Sequence, residues 1–105
     1  MADKIPIKKR LKELRIEAGL SQKKLGILAG IDEFSASPRV NQYETGKHVP
    51  DFIMLKSFAK VLKVPACYFY TENDDLANLI KLYGNFTSDQ KKQLINKATS
   101  IKPKK

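Results

Sequence analysis

Ser37, Arg39, Asn41 and Gln42 bring four sets of hydrogen-bond donors and acceptors into six residues, interleaved with Val40 and Tyr43, which are three apart and form one helical stripe. Packing needs only the stripe. A helix built this way leaves its polar side chains to bind something outside the protein, and base edges in a nucleic-acid groove suit that chemistry. Gln22 and Lys23 stand at the head of a shorter helical pattern, where a side chain and a backbone N–H can meet the same phosphate; for Gln22 the alternative is simple capping. Lys47 and His48 follow Gly46 in a loop placed for a second phosphate, although a lone His is more commonly just an exposed loop residue. The remaining chemistry is sparse. One His, one Cys, no Gly-rich phosphate loop and no Ser/His/Asp set give no catalytic constellation, no metal-ligand set and no cofactor motif, so an enzyme is a poor reading.

The elements that position these residues read as helices throughout. Pro6 suits a first turn, and Ile7, Leu11, Leu14 and Ala18 form the apolar side of a helix over Pro6–Ala18 that Gly19 ends. Lys8, Lys9, Arg10, Lys12 and Arg15 occupy its other faces, with Lys8, Lys9 and Lys12 either reaching phosphates or simply solvated. Ahead of it, Met1–Ile5 with Lys4 reads as a frayed basic arm. Ser21 caps a helix over Ser21–Ala29 that buries Leu25, Leu28 and Ala29; Gly26 marks where another helix crosses closely, and Gly30 closes it. Asp32 to Ser35 read as a turn with Phe34 folded onto the core and the carboxylates of Asp32 and Glu33 turned away from any polyanion. Ser37 as N-cap and Pro38 at the first helical position then start the polar-faced helix, Ser37–Thr45, and Gly46 ends it in the left-handed region.

The second half continues in the same manner. Asp51 caps a helix over Asp51–Leu62 with Phe52, Leu55, Phe58, Ala59 and Leu62 on one stripe. Pro65–Tyr70 is a short turn of helix whose aromatics pack and whose Cys67 is a small buried hydrophobe. The acids Glu72, Asp74 and Asp75 favour a helix N-terminus, so Asn73–Tyr83 follows, with Leu76, Leu79, Ile80 and Tyr83 apolar. Thr87 and Gln90 match a capping box for Ser88–Ser100, where Leu94, Ile95, Ala98 and Ile101 form a further stripe before a basic tail.

Gln22, Gly26 and Gly30 at four-residue steps, then Val40, the run Tyr43-Glu44-Thr45-Gly46-Lys47, and Pro50, resemble the Xre/Cro type of helix-turn-helix in the lambda-repressor-like DNA-binding family, over roughly Ile7 to Phe69. The resemblance implies an all-α fold, a five-helix DNA-binding domain with helix-turn-helix over residues 1–70, and it leaves two additional C-terminal helices in a 71–105 extension. It also implies that Arg15 and Glu44 form a structural ion pair tying the first helix to the recognition helix. Two departures stand out. Gly26 replaces the family's usual Ala, at a helix-propensity cost of about 1 kcal/mol. Between Gly30 and Val40 the chain carries about four residues more than the usual spacing, within Asp32 to Ser37, which leaves the register of the recognition helix open.

Length and charge set the frame. With 105 residues, 42% of them hydrophobic, the chain can cover one small core but not two. Twenty Lys and Arg against eleven Asp and Glu give a net charge of +9, which suits a polyanionic partner, with plain solubility as the bland alternative. No apolar run approaches the roughly 20 residues that span a membrane, and a lone Cys fits a reducing compartment, so the expectation is a soluble, cytoplasmic protein. The expected partners are double-stranded DNA and a second copy of the chain: a transcriptional regulator, most simply a repressor, held as a homodimer by its terminal helices. The alternative is an antitoxin that binds its operator and covers a toxin with the same helices. A small ligand between helices stays open, with nothing to name it.

Overall fold

The computed structural model describes residues 6–104, and the basic arm expected at Met1–Ile5 lies outside them. Six α-helices and one 3-10 helix make up the described residues, with no strand among them: α1 (Ile7–Glu17), α2 (Gln22–Leu28), α3 (Glu33–Thr45), α4 (Phe52–Leu62), the 3-10 helix (Ala66–Tyr70), α5 (Asp74–Gly84) and α6 (Ser88–Ser100). Their starts follow the local chemistry. Ser21, Asp51, Asn73 and Thr87 each accept a hydrogen bond from a backbone N–H three residues on, and the Gln90 side-chain oxygen accepts in turn from the Thr87 N–H, completing the capping box.

One core holds α1 to α4 and the 3-10 helix together. Leu11, Leu25, Val40, Leu55, Phe58 and Phe69, one or two from each of these elements, are its largest fully buried side chains, and Tyr43 meets Phe58 edge to face at 5.9 Å. α5 adds Ala77, with Ile80 packed against the core, and α6 has no buried residue. α5 is also tied on through Lys81, which reaches the Glu17 carboxylate of α1 at 2.6 Å, and at both of its ends. Arg10 is buried: it donates to the carbonyls of Thr71 at 3.0 Å and Glu72 at 2.9 Å, reaches Asp74 at 3.0 Å and lies over the Tyr68 ring. At the other end Gly84 is the last helical residue, and a Cβ there would stand 2.6 Å from the Pro65 ring, so only glycine allows this approach.

α3 departs most from expectation. Ser37 and Pro38 do not begin it; the helix starts a full turn earlier, at Glu33, and Pro38 lies inside. The extra residues are that added turn. Asp32 accepts from the Ser35 hydroxyl at 3.1 Å, Glu33 sits in the first turn where the helix dipole favours a carboxylate, and Ala36 is buried against α2. Pro38 costs the turn a single bond, the one its absent N–H would give to Phe34. Gly26 explains how α2 accepts it: an added Cβ would stand 2.7 Å from the Ala36 Cβ and 3.0 Å from its Cα.

Four side chains expected in the interior lie outside it. Phe34, on the outer side of the added turn, is 87% exposed. Phe52 is 55% exposed with the Lys56 ammonium over its ring, because the α4 stripe runs past the end of the core that covers it. Leu28 is exposed since the two-turn α2 buries Leu25, Gly26 and Ala29 on a narrower side. Cys67 is exposed because the tight 3-10 turn directs its neighbours Tyr68 and Phe69 inward.

Candidate nucleic-acid interface

Glu44 organises the site. Its carboxylate is almost wholly buried, at 2% side-chain exposure, and accepts from Arg15 Nε at 2.6 Å, Arg15 Nη2 at 3.0 Å and Gln22 Nε2 at 3.1 Å. Arg15 also donates to the Leu20 carbonyl at 2.8 Å, and the hydrogen bond from Glu44 raises its pKa above the ordinary guanidinium value. A bidentate, shielded pair of this kind holds angle as well as distance. α1, α2 and α3 are thereby fixed to one another, with the Gly26–Ala36 crossing as the second fixed point.

The clamp points one face of α3 outward. With 3.6 residues per turn, the buried positions Ala36, Val40, Tyr43 and Glu44 define the inner side, and Phe34, Pro38, Asn41 and Thr45 lie opposite, all exposed. Gln42 flanks that face, half-buried, its side chain without a protein partner among the described residues. Asn41 accepts from Gln22 Nε2 at 3.1 Å through Oδ1, so its amide N–H groups are left to point outward. Arg39 is turned towards α4: it donates to the Tyr43 hydroxyl at 2.9 Å and lies over that ring, with Met54 Sδ at 3.9 Å. Ser37 is half-buried within the second turn. The four residues expected to meet bases therefore do not share one face: Asn41 and Gln42 are presented outward, Arg39 and Ser37 along the edges.

The residues expected at phosphates are spread around this face. The Gln22 side chain is committed to Asn41 and Glu44, which makes it a strut for α3 and leaves its backbone N–H without a partner among the described residues. Lys23 is exposed, with its ammonium 4.0 Å from Glu33. Lys47 and His48 are exposed beyond Gly46, which ends α3 at φ 82°, and the His48 N–H is already given to the Gln42 carbonyl at 3.2 Å. Lys8 joins them from α1, its Cδ 3.1 Å from where a Gly46 Cβ would be. In the sequence Lys8 is one of several α1 lysines, and nothing marks it as the one that borders Lys47. Among the described residues no group of three or more His, Cys, Asp or Glu could hold a metal ion, and no helix is long and apolar enough to cross a membrane.

A short helix braced beneath a second one, with its polar face outward and a basic loop after it, defines the helix-turn-helix class. The helix-turn-helix family model matches residues 11–69, more than half of the chain, and the chain belongs to this Xre/lambda-repressor-like family. It is also similar to the crystal structure of the transcriptional regulator BswR, with a TM-score of 0.84 and 45% identity over 90% of this chain and 94% of that one. No curated protein matches it in sequence.

Proposed function

We propose that the chain is a transcriptional regulator that binds double-stranded DNA at particular sequences by laying the outward face of α3 in the major groove. The carrying observation is the Glu44 clamp, which places the free donors of Asn41 and Gln42 on a rigid exposed face. The likeness to BswR, itself a transcriptional regulator, supports the same reading. In this proposal Asn41 and Gln42 read base edges, Arg39 and Ser37 reach bases or sugars at the edges of the helix, and Lys8, Lys23, Lys47, His48 and the Gln22 backbone hold phosphates. Repression by occupying a promoter is the simplest mode for such a protein.

The working unit we infer is a symmetric dimer, with residues 1–70 as the DNA-binding domain and 71–105 as the dimerising extension. One recognition helix covers only a few base pairs, and a two-fold pair supplies the rest. Leu76, Leu79 and Leu82 on α5, and Ile95 and Ile101 at α6, are exposed, and Leu94 is half-buried, so a second copy has an apolar surface to cover. The antitoxin alternative draws on the same surface, with a toxin as its cover, and a toxin-encoding neighbouring gene would favour it. Selection from random DNA by the purified protein at fixed salt tests the reading. Enrichment of a site with two related halves about one DNA turn apart is the expected result; a pool that stays random contradicts it.

A further inference from the structure

We infer that Phe34 is a specificity-determining residue whose ring packs against a thymine C5-methyl in the major groove. This rests on the proposal that the outward face of α3 enters that groove. Phe34 is the most exposed of the large apolar side chains among the described residues, and it sits on the added first turn of α3. It stays outside although an aromatic ring left in water forgoes a large burial gain. Its position supplies an occupant. Phe34, Pro38, Asn41 and Thr45 follow steps of four, three and four residues, so ring, pyrrolidine, amide and hydroxyl line a single face.

That face is polar beyond Phe34 and Pro38 and is bordered by Lys8, Lys23 and Lys47, which suits a polyanion better than an apolar protein patch. The one apolar group that base pairs display in the major groove is the thymine methyl, and Phe is among the side chains that meet it. Of the nearby carboxylates, Glu33 is partly offset by the Lys23 ammonium at 4.0 Å, and Asp32 keeps its charge while accepting from the Ser35 hydroxyl. Phe34 lies seven residues before Asn41, about 10 Å along the helix, so its thymine is a different base pair from the one met by Asn41. The added turn thus lengthens the read site and contributes an apolar preference at its end.

The test uses the full chain and the duplex it enriches from random DNA, with each thymine replaced in turn by deoxyuridine, which lacks only the methyl group. The parent is expected to lose about fourfold in affinity at one thymine per half-site, the worth of one buried methyl. Phe34→Ala should bind thymine and deoxyuridine there equally, while Phe34→Leu keeps a preference; both should melt like the parent, since the ring makes no part of the core. The same thymine preference in Phe34→Ala as in the parent, or none in either, overturns the inference. So does a Phe34→Ala variant that changes self-association while leaving DNA binding intact. If Asn41→Ala still loses discrimination in those cases, the DNA-reading proposal survives; failure of the parent to enrich any duplex defeats that proposal itself.

Discussion

Glu44 joins the stability of the fold to the placing of the outward face of α3. Its carboxylate is buried and receives three donors, so removing it strands Arg15, which has only 13% side-chain exposure, and releases Gln22 and through it Asn41. Glu44→Ala should lower unfolding stability by roughly 3 kcal/mol in denaturant titration, because the arginine left behind has lost its counter-charge; unchanged midpoints would remove the clamp from the account. The pairing was legible from the family pattern, but the bond from Gln22 to Asn41 was not, since no local rule relates residues nineteen apart. Lys47 belongs to another class: its loss should weaken all sequences alike and reduce the salt slope of DNA binding by about one unit. Asp74 gives a pH-dependent case. The hydrogen bond from Arg10, and then the charge of Lys9, hold its carboxyl below the ordinary range. The stability it adds is therefore present above the usual aspartate pKa and lost as the pH falls through the lowered value. The difference in melting between Asp74→Asn and the parent should be small at neutral pH and vanish in acid, and a difference that grows in acid would contradict the assignment.

At the scale of elements, α3 is where local rules and tertiary packing disagree. Ser37-Pro38 carries a strong start signal, yet the helix begins at Glu33, because the burial of Ala36 against Gly26 rewards an earlier turn more than Pro38 penalises it. Helices with caps and a single clear stripe were readable; this one was not, since its deciding contact lies on another helix. A turn at Asp32 to Ser35 would fold Phe34 inward, whereas the added helical turn leaves it on the outward side of α3. Gly26 turns this into a prediction. Alanine there gains helix propensity of about 1 kcal/mol but meets the Ala36 Cβ and backbone, and overpacking of that kind costs about 1–3 kcal/mol. Gly26→Ala should therefore melt lower than the parent and bind its selected site less tightly, as α3 shifts; a higher melting temperature would show that the crossing has slack.

For the whole molecule, the uneven packing of the helices matters most. α1 to α4 and the 3-10 helix share one core, to which α5 adds Ala77 and part of Ile80, whereas α6 has no fully buried residue. Periodicity could reveal the stripes on α5 and α6 but not that they lack a cover, because the same pattern describes a helix packed at home. A chain ending after Gly84 should keep its fold by circular dichroism, sediment as a monomer at micromolar concentration and lose tight site binding, while the full chain sediments as a dimer. Equal sedimentation and equal affinity would return α6 to a role within one copy. Whether the outward face of α3 reads base pairs is decided by equilibrium titration of a selected site and a scrambled duplex at one salt concentration, comparing the parent with Asn41→Ala and Gln42→Ala. Each variant should lose about 1–3 kcal/mol on the selected site and nothing on the scrambled one; equal losses on both duplexes would show that α3 does not read bases.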